Sequence, residues 1–239
     1  MGARFEELDW RPTPMGELSL RRRLDPGSGE EIHEVKLDED FLMSSLFVEA
    51  EIAISRIALE LLVGADLDVV VGGLGLGFTA LAVLADPRVR SLIVVDALAE
   101  IIEWHERGLI PAGAQLVADP RCRLVHADFF AAVAGPGPDP AEPERRFHAI
   151  VVDIDHSPSH LLHPSHGGFY TPAGLARLRA HLRPGGVFTL WSNDPPEEDF
   201  LARLNAEFPG ASARVVSFAN PLQDRLATNT VYVAVAASS

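Results

Sequence analysis

Short, continuously apolar runs alternate with segments of helical periodicity from residue 67 onward. The runs are LDVVVGG (67–73), SLIVVDA (91–97), RCRLVHA (121–127), FHAIVVD (147–153) and GGVFTLWS (185–192). Runs without polar alternation are typical of strands that are buried on both faces, and strands that alternate with helices form parallel sheets. The pattern therefore predicts an α/β fold built on a doubly wound, mostly parallel sheet.

The segments around these runs have apolar residues at the spacing of amphipathic helices. The predicted helices are FTALAVLA (78–85), LAEIIEWHERG (98–108), TPAGLARLRAHL (171–182) and PEEDFLARLNAEF (196–208). Ahead of the first run, residues 44–64 predict one long helix that Ser44 or Ser45 caps and Gly64 ends. The Pro-rich stretch GPGPDPAEPER (135–145) predicts a surface loop.

Antiparallel hairpins are predicted near both ends of the chain. The turn-rich LDPGSGE (24–30) separates ELSLRRR (17–23) from EIHEVKL (31–37), as in a β-hairpin. A short connection joins SARVVSFANPL (212–222) to NTVYVAVA (229–236), whereas parallel strands need a crossover of a dozen or more residues. We expect a small N-terminal β-hairpin cap in residues 1–45 and an α/β domain in residues 46–239.

Composition narrows the classes of partner. A formal net charge of −14 disfavours DNA and RNA, because phosphate neutralisation needs clustered Lys and Arg. The longest apolar run, residues 69–85, contains several glycines and is shorter than the roughly 18 residues that predict a membrane span. Cys122 is the only cysteine, which excludes an internal disulfide and a cysteine-based zinc site and suits a cytoplasmic protein.

The junction between the first apolar run and its helix, VVVGGLGLGF, is rich in glycine. It contains Gly72, Gly73, Gly75 and Gly77. Glycines at such a junction let the backbone approach a ligand closely, and N–H groups at a helix start can receive polar ligand atoms. A tight turn without a ligand would have the same sequence, so the motif alone leaves ligand binding open.

Two aspartates follow the next two strands at the same predicted edge of the sheet. Asp96 lies about 20 residues beyond the glycines, where a carboxylate can accept both hydroxyls of a ribose. Asp128 can accept from an adenine amino group, with Phe129 beside the ring. Each aspartate alone is equally well explained as a helix N-cap. Together with the glycines they favour a nucleoside site, because ligands of open α/β sheets bind at the carboxyl ends of the strands.

From Leu67 to the C-terminus the chain resembles the class I S-adenosylmethionine-dependent transferases, and more closely the spermidine synthase family of aminopropyltransferases. The similar segments are DPRCRLVHADFF (119–130), FHAIVVDIDHSP (147–158), FYTPAGLARLRAHLRPGGVFTLWS (169–192) and the β-rich cap with its following helix. The resemblance implies a seven-stranded sheet of class I methyltransferase type, decarboxylated or intact S-adenosylmethionine as co-substrate, no metal, and a homodimer. It also implies that the glycines line the sulfonium nucleoside, that Asp96 holds the ribose, and that Asp128 holds the adenine.

Aminopropyl transfer places particular demands on carboxylates beside the acceptor amine. An alkylamine has a pKa near about 10.4, so it arrives as an ammonium and must lose a proton before it attacks the carbon next to the sulfonium. Asp153 ends the fourth strand and is the predicted base, with His156 assisting it and Asp155 anchoring the amine. Further candidates for the amine pocket or its border are Glu49, Glu51, Tyr170, Trp191 and Asp194.

Three departures from the family pattern leave the acceptor and the donor open. Gly75 stands where the family's glycine loop usually carries an aspartate that touches the donor's amino group. Asp153 and Asp155 are separated by one residue instead of two, and no tyrosine stands near Glu49. The alternatives are a small-molecule methyltransferase that uses intact S-adenosylmethionine and a non-catalytic nucleoside-binding homologue.

The segment after the fourth strand contains four histidines, His156, His160, His163 and His166. Histidines can ligate zinc, but two prolines interrupt this run and no rigid element fixes it. We instead expect a lid over the donor pocket, in which His156 assists Asp153 and the other histidines are solvated or capping residues.

Overall fold

The structure is a computed structural model that describes residues 5–27, 29–220 and 225–238. Residues 1–4 of the expected cap, Ser28 of the predicted turn and residues 221–224 of the last connection lie outside the described residues. The described residues form a four-stranded sheet followed by a seven-stranded sheet with helices on both faces. The division into two domains at residue 45 stays a prediction.

The N-terminal sheet is antiparallel throughout and larger than the predicted hairpin. Its strands, in spatial order, are β1 (Phe5–Thr13), β2 (Gly16–Leu24), β3 (Glu31–Leu37) and β4 (Asp40–Ser44). The predicted hairpin is formed by β2 and β3, where Leu20 pairs with Val35 and both side chains are buried. The two outer strands were missed because they are more exposed and lack a clean alternation of apolar and polar residues.

The seven-stranded sheet confirms the predicted doubly wound architecture. Its strands are β5 (Leu67–Gly72), β6 (Val89–Asp96), β7 (Cys122–His126), β8 (Phe147–Val152), β9 (Leu182–Ser192), β10 (Ser212–Asn220) and β11 (Arg225–Val235). The spatial order is β10-β11-β9-β8-β5-β6-β7. Strands β5 to β9 are parallel, and β11 pairs antiparallel with both β9 and β10, as the short terminal connection predicts.

Seven α-helices and one 3₁₀ turn occur among the described residues. They are α1 (Glu49–Glu60), α2 (Phe78–Leu84), α3 (Ala99–Glu106), α4 (Gly113–Ala118), α5 (Phe129–Ala134), the 3₁₀ turn Pro164–Gly168, α6 (Pro172–Ala180) and α7 (Glu198–Glu207). Helices α4 and α5 were missed because six residues are too few to show helical periodicity. No helix in the described part of the chain is both long and apolar enough to cross a lipid bilayer.

Helix α1 begins later than the predicted cap at Ser44 or Ser45. Ser44 is the last residue of β4, and the hydroxyl oxygen of Ser45 accepts the N–H of His33 from the neighbouring strand at 2.9 Å. Sheet pairing therefore takes both serines away from the helix, which starts at Glu49 and ends at Glu60, before Gly64. The prediction failed because a serine can cap a helix only if it is not already part of a strand or hydrogen-bonded to one.

Two apolar cores cover the two faces of the central sheet. Val69 and Val71 of β5 belong to the core beneath α1 to α4, whereas Val70 belongs to the core beneath α5 to α7. Because both faces are buried, the strands have continuous apolar sequences. Ligands of such sheets bind beyond the carboxyl ends of the strands, and the candidate site lies at that edge.

Candidate functional site

Two adjoining cavities lie at the carboxyl ends of the parallel strands. The first cavity, of about 90 Å³, is lined by Asp96, Asp128 and a mostly apolar wall. The second cavity, of about 440 Å³, lies between α1 and the ends of β9, β10 and β11. Gly73, Gly75 and Asp153 line both cavities. The two cavities therefore meet beside the aspartate that ends the fourth strand.

The glycine loop brings the backbone to this meeting point. Gly73, Gly75 and Gly77 have φ angles of 96°, 47° and 91°, which L-residues with side chains rarely adopt. A Cβ at Gly73 would overlap the carbonyl oxygen of Asp153, and a Cβ at Gly75 would lie 2.9 Å from Sδ of Met43. Gly72 differs, because it lines neither cavity and instead packs under the Phe129 ring.

Asp96 and Asp128 both line the first cavity, and both also bind backbone. The carboxyl oxygens of Asp96 accept the N–H groups of Leu74 and Leu98, each at 2.8 Å. Burial raises the pKa of Asp96, while these backbone hydrogen bonds act in the opposite direction. Oδ1 of Asp128 accepts the N–H of Ala131 at 3.0 Å and caps α5. The capping role that the sequence left open therefore coexists with a position on the cavity wall.

Asp153 is held at the junction by a neighbouring helix. The hydroxyl of Thr79, in the first turn of α2, donates to Oδ2 of Asp153 at 2.5 Å. Burial raises the pKa of Asp153 to about 6, although the Thr79 hydrogen bond counteracts the increase. A carboxyl group with a pKa in that range exchanges protons near neutral pH, as general bases do.

Glu51 of α1 lines the second cavity near Asp153. Its Oε2 is buried and has no hydrogen-bond partner within the described part of the chain. Burial raises the pKa of Glu51 to about 9, and the charge of Asp153 contributes to the increase. Two buried carboxyl groups that repel each other favour a cationic ligand between them, because the ligand would stabilise both in the ionised form.

The rest of the second cavity is lined by aromatic, aliphatic and neutral polar side chains, together with His156. Its polar side chains include Asn193 and Asn229, whose amide groups are hydrogen-bonded to each other at 3.1 Å. The aromatic residues of the wall are Phe41, Phe47, Phe78, Trp191 and Phe218. Trp191 borders this cavity, and its indole N–H is buried without a hydrogen-bond partner among the described residues, so both the pocket position and the burial that the sequence allowed are present.

Asp155 and Tyr170 do not have the positions that their predicted roles require. The Asp155 carboxylate is buried beneath the loop, where it accepts the Leu162 N–H at 2.8 Å, the Tyr170 hydroxyl at 2.8 Å and Nδ1 of His166 at 2.7 Å. Neither Asp155 nor Tyr170 lines either cavity. Asp155 lies in a bend beyond the end of β8, and its three hydrogen bonds hold the loop together instead of anchoring an amine.

Glu49 and Asp194 also lie away from the cavity walls. Glu49 is exposed at the start of α1, whereas Glu51 two residues later is turned inward. Oδ2 of Asp194 is hydrogen-bonded to Nδ1 of His160 at 2.7 Å.

His163 caps the 3₁₀ turn, as expected of a capping histidine. No group of three or more His, Cys, Asp or Glu side chains within the described ranges is arranged to hold a metal ion.

Sequence reasoning missed two residues that support the site. Thr79 follows the glycines and has an ordinary helix-start sequence, so nothing marked it as a partner of Asp153. His105 lies within the predicted α3, and its Nε2 contacts the carbonyl oxygen of Gly75 at 2.9 Å. Burial lowers the pKa of His105. A neutral histidine that donates to this carbonyl would fix the glycine loop. The contact joins a helix to a loop 30 residues earlier in the chain, so only the tertiary structure shows it.

Sequence comparison finds similarity to a curated aminopropyltransferase. No family model matches the chain. Polyamine aminopropyltransferase 2 from Pseudomonas aeruginosa is 28% identical over 151 residues, which cover 59% of this chain and 39% of the relative. The match thus spans about two fifths of that relative's length.

Solved structures match nearly the whole chain. A spermidine synthase in complex with the transition-state analogue AdoDATO aligns with 98% of this chain and 74% of its own, at 18% identity and a TM-score of 0.73. The spermidine synthase from Thermotoga maritima aligns with 98% of this chain and 73% of its own, at 17% identity and a TM-score of 0.70. The chain has the spermidine synthase fold. The resemblance noted in the sequence motifs and the class I methyltransferase-type sheet are both confirmed.

Proposed function

We propose that this protein transfers an aminopropyl group from decarboxylated S-adenosylmethionine to a small amine such as putrescine. The observation that carries the proposal is the position of Asp153, whose carboxyl group lies where the two cavities meet. The aminopropyltransferase relative and the spermidine synthase fold support the same reaction. The cytoplasmic location and the homodimer stay predictions.

The first cavity suits the nucleoside part of such a donor. Asp96 has lone pairs left after binding two backbone N–H groups, and these can accept ribose hydroxyls. Oδ2 of Asp128 can accept from the base, and Phe129 and Phe130 supply an apolar wall. The cavity is narrow, so we expect the apolar side chains of Leu42, Met43 and Leu162 in its wall to move apart as a nucleoside enters.

The second cavity suits the amine, and the junction suits the chemistry. An ammonium bound near Glu51 and Asp153 would satisfy two carboxyl groups that burial otherwise disfavours. Asp153 then accepts the proton of the attacking amine. The new bond joins nitrogen to the carbon next to sulfur, the carbon–sulfur bond breaks, and its electron pair stays on the sulfur of the neutral thioether.

The test is a transfer assay with mass spectrometry on wild-type protein and on Asp153→Asn. Wild type is incubated with decarboxylated S-adenosylmethionine and a panel of mono- and diamines. We expect a product heavier than the amine by one aminopropyl group and, for Asp153→Asn, a loss of about 10²–10⁴ in kcat, since that is the usual contribution of a general base. Binding of 5′-methylthioadenosine should persist in the variant.

The matched control is Asp66→Asn, which makes the same substitution at an exposed position at the other end of β5. Its positive φ of 56° suits asparagine as well as aspartate. Full activity of Asp153→Asn would remove this residue from the mechanism. Product formed only with intact S-adenosylmethionine would indicate a methyltransferase, and nucleoside binding without any product would indicate a non-catalytic homologue.

A further inference from the structure

We propose that Nε2 of His166 is a fixed hydrogen-bond acceptor that recognises an amino group on the base of a nucleoside in the first cavity. The inference rests on the proposed function only in requiring that a nucleoside binds there. His166 lines this cavity, yet it lies in the histidine run that the sequence assigned to solvated or capping positions. The structure gives it a different environment.

The Asp155 carboxylate fixes the position of the hydrogen on the His166 ring. This carboxylate already accepts the N–H of Leu162 and the hydroxyl of Tyr170, and Nδ1 of His166 lies 2.7 Å from its Oδ1. A carboxylate only accepts hydrogen bonds, so Nδ1 must carry the hydrogen. In the neutral ring the lone pair is then on Nε2.

Packing fixes the direction of that lone pair. The Phe130 ring packs on the imidazole with 4.3 Å between ring centroids, and the His166 side chain is only 10% exposed. His166 lines the first cavity, whereas Asp155, which binds Nδ1, lines neither cavity, and from this we infer that the ring edge with Nε2 faces the first cavity. No hydrogen bond to Nε2 occurs among the described residues, which leaves this acceptor to a ligand.

Two acceptors in one cavity favour a particular class of base. Asp128 lines the same cavity, and its Oδ2 takes no part in the capping hydrogen bond. The exocyclic amine of a 6-aminopurine has two hydrogens, so one can be donated to each acceptor. A 6-oxopurine would instead place an acceptor oxygen opposite both acceptors. Each acceptor left without a donor would weaken binding. The predicted ligand class is therefore the 6-aminopurine nucleoside.

The test measures binding of two nucleosides that differ only in this amine. By isothermal titration calorimetry, wild type should bind 5′-methylthioadenosine at least about tenfold more tightly than its analogue that lacks the 6-amino group. His166→Asn keeps an amide near Nδ1 for Asp155 but removes the nitrogen that faces the cavity. This variant should lower the ratio of the two affinities by about 3–10-fold, with little change for the deaminated analogue.

Two further variants separate recognition from stability. His166→Gln places an amide near the position of Nε2 and should restore part of the ratio, which would also provide the test if His166→Asn folds poorly. His163→Gln changes an exposed histidine of the same segment that lines neither cavity and should leave the ratio unchanged. An unchanged ratio in both His166 variants would overturn the inference alone. Failure of wild type to bind either nucleoside would overturn it together with the nucleoside site.

Discussion

At the scale of single residues, burial determines which carboxyl groups can take part in chemistry. Among the described residues, the Thr79 hydroxyl is the one side-chain donor to Asp153 or Glu51, and burial raises the pKa of both carboxyl groups. Asp155 is also buried but has three hydrogen-bond partners. A buried carboxyl group with few hydrogen-bond donors can still bind a cation. A carboxylate whose oxygens are already hydrogen-bonded instead stabilises the loop around it.

Glu51→Gln should remove a pH-dependent loss of stability. In the unfolded chain this carboxyl ionises near pH 4.5, whereas in the folded protein it stays protonated up to about pH 9. The folded state therefore binds more protons in that window, and its stability falls as pH rises through it. By urea denaturation, the variant should gain on the order of 1–3 kcal/mol over wild type at pH 8 and nothing below pH 4.

Glu60→Gln is the matched control for this measurement, because Glu60 is exposed on the same helix. Its stability should follow wild type at every pH. Parallel pH profiles for wild type and Glu51→Gln would show that the buried carboxyl does not titrate as described.

At the scale of elements, the turn from β5 into α2 brings the glycine loop into contact with the end of β8. Gly73 combines a positive φ with close contact to the Asp153 backbone, and the N–H of Asp153 donates to the carbonyl oxygen of Gly72 at 2.8 Å. The first and fourth parallel strands are neighbours in the sheet, so their ends meet here. The glycine motif was predicted from the sequence, but its contact with the β8 end required the strand order.

Gly73→Ala should cost more stability than Gly64→Ala. Both glycines have similar positive φ angles, 96° and 88°, but a Cβ at Gly64 would meet nothing within 4 Å, whereas one at Gly73 would overlap the Asp153 carbonyl oxygen. Gly64→Ala should lose about 1 kcal/mol from backbone strain alone. Gly73→Ala should lose an additional 1–3 kcal/mol, roughly, from overpacking. Equal losses by urea denaturation would show that the loop relaxes freely.

At the scale of the whole molecule, a buried charge cluster lies at the opposite end of the sheet from the site. Asp68 of β5 is fully buried and pairs with Arg90 of β6, with Arg145 and with Arg183 of β9. Arg145 also pairs with Asp139, so the Pro-rich loop is tied to the sheet. Burial alone would raise the pKa of Asp68, but the hydrogen bonds from Arg90 and Ser91 and the charge of Arg145 hold it at about 2.

Asp68→Asn should destabilise the protein by about 2–4 kcal/mol at pH 7, because it leaves arginines without their shared partner. The pKa of this group is lowered on folding, so its contribution is present above about pH 4 and is lost as pH falls toward 2. The difference between variant and wild type, measured by urea denaturation, should shrink over that interval. Asp66→Asn, at an exposed neighbouring position, should leave stability within about 0.5 kcal/mol of wild type.

The sequence by itself determined the order of the buried strands and the longer helices, the parallel sheet and the presence of acids at its carboxyl edge. The pattern of apolar residues shows where each buried strand ends, and Asp96, Asp128 and Asp153 lie at or just after those ends. Only the tertiary structure decided that Glu51 faces Asp153 and that Asp155 faces His166 and Tyr170. Those contacts join elements that are distant in the chain, and no local pattern encodes the direction in which a side chain meets another element.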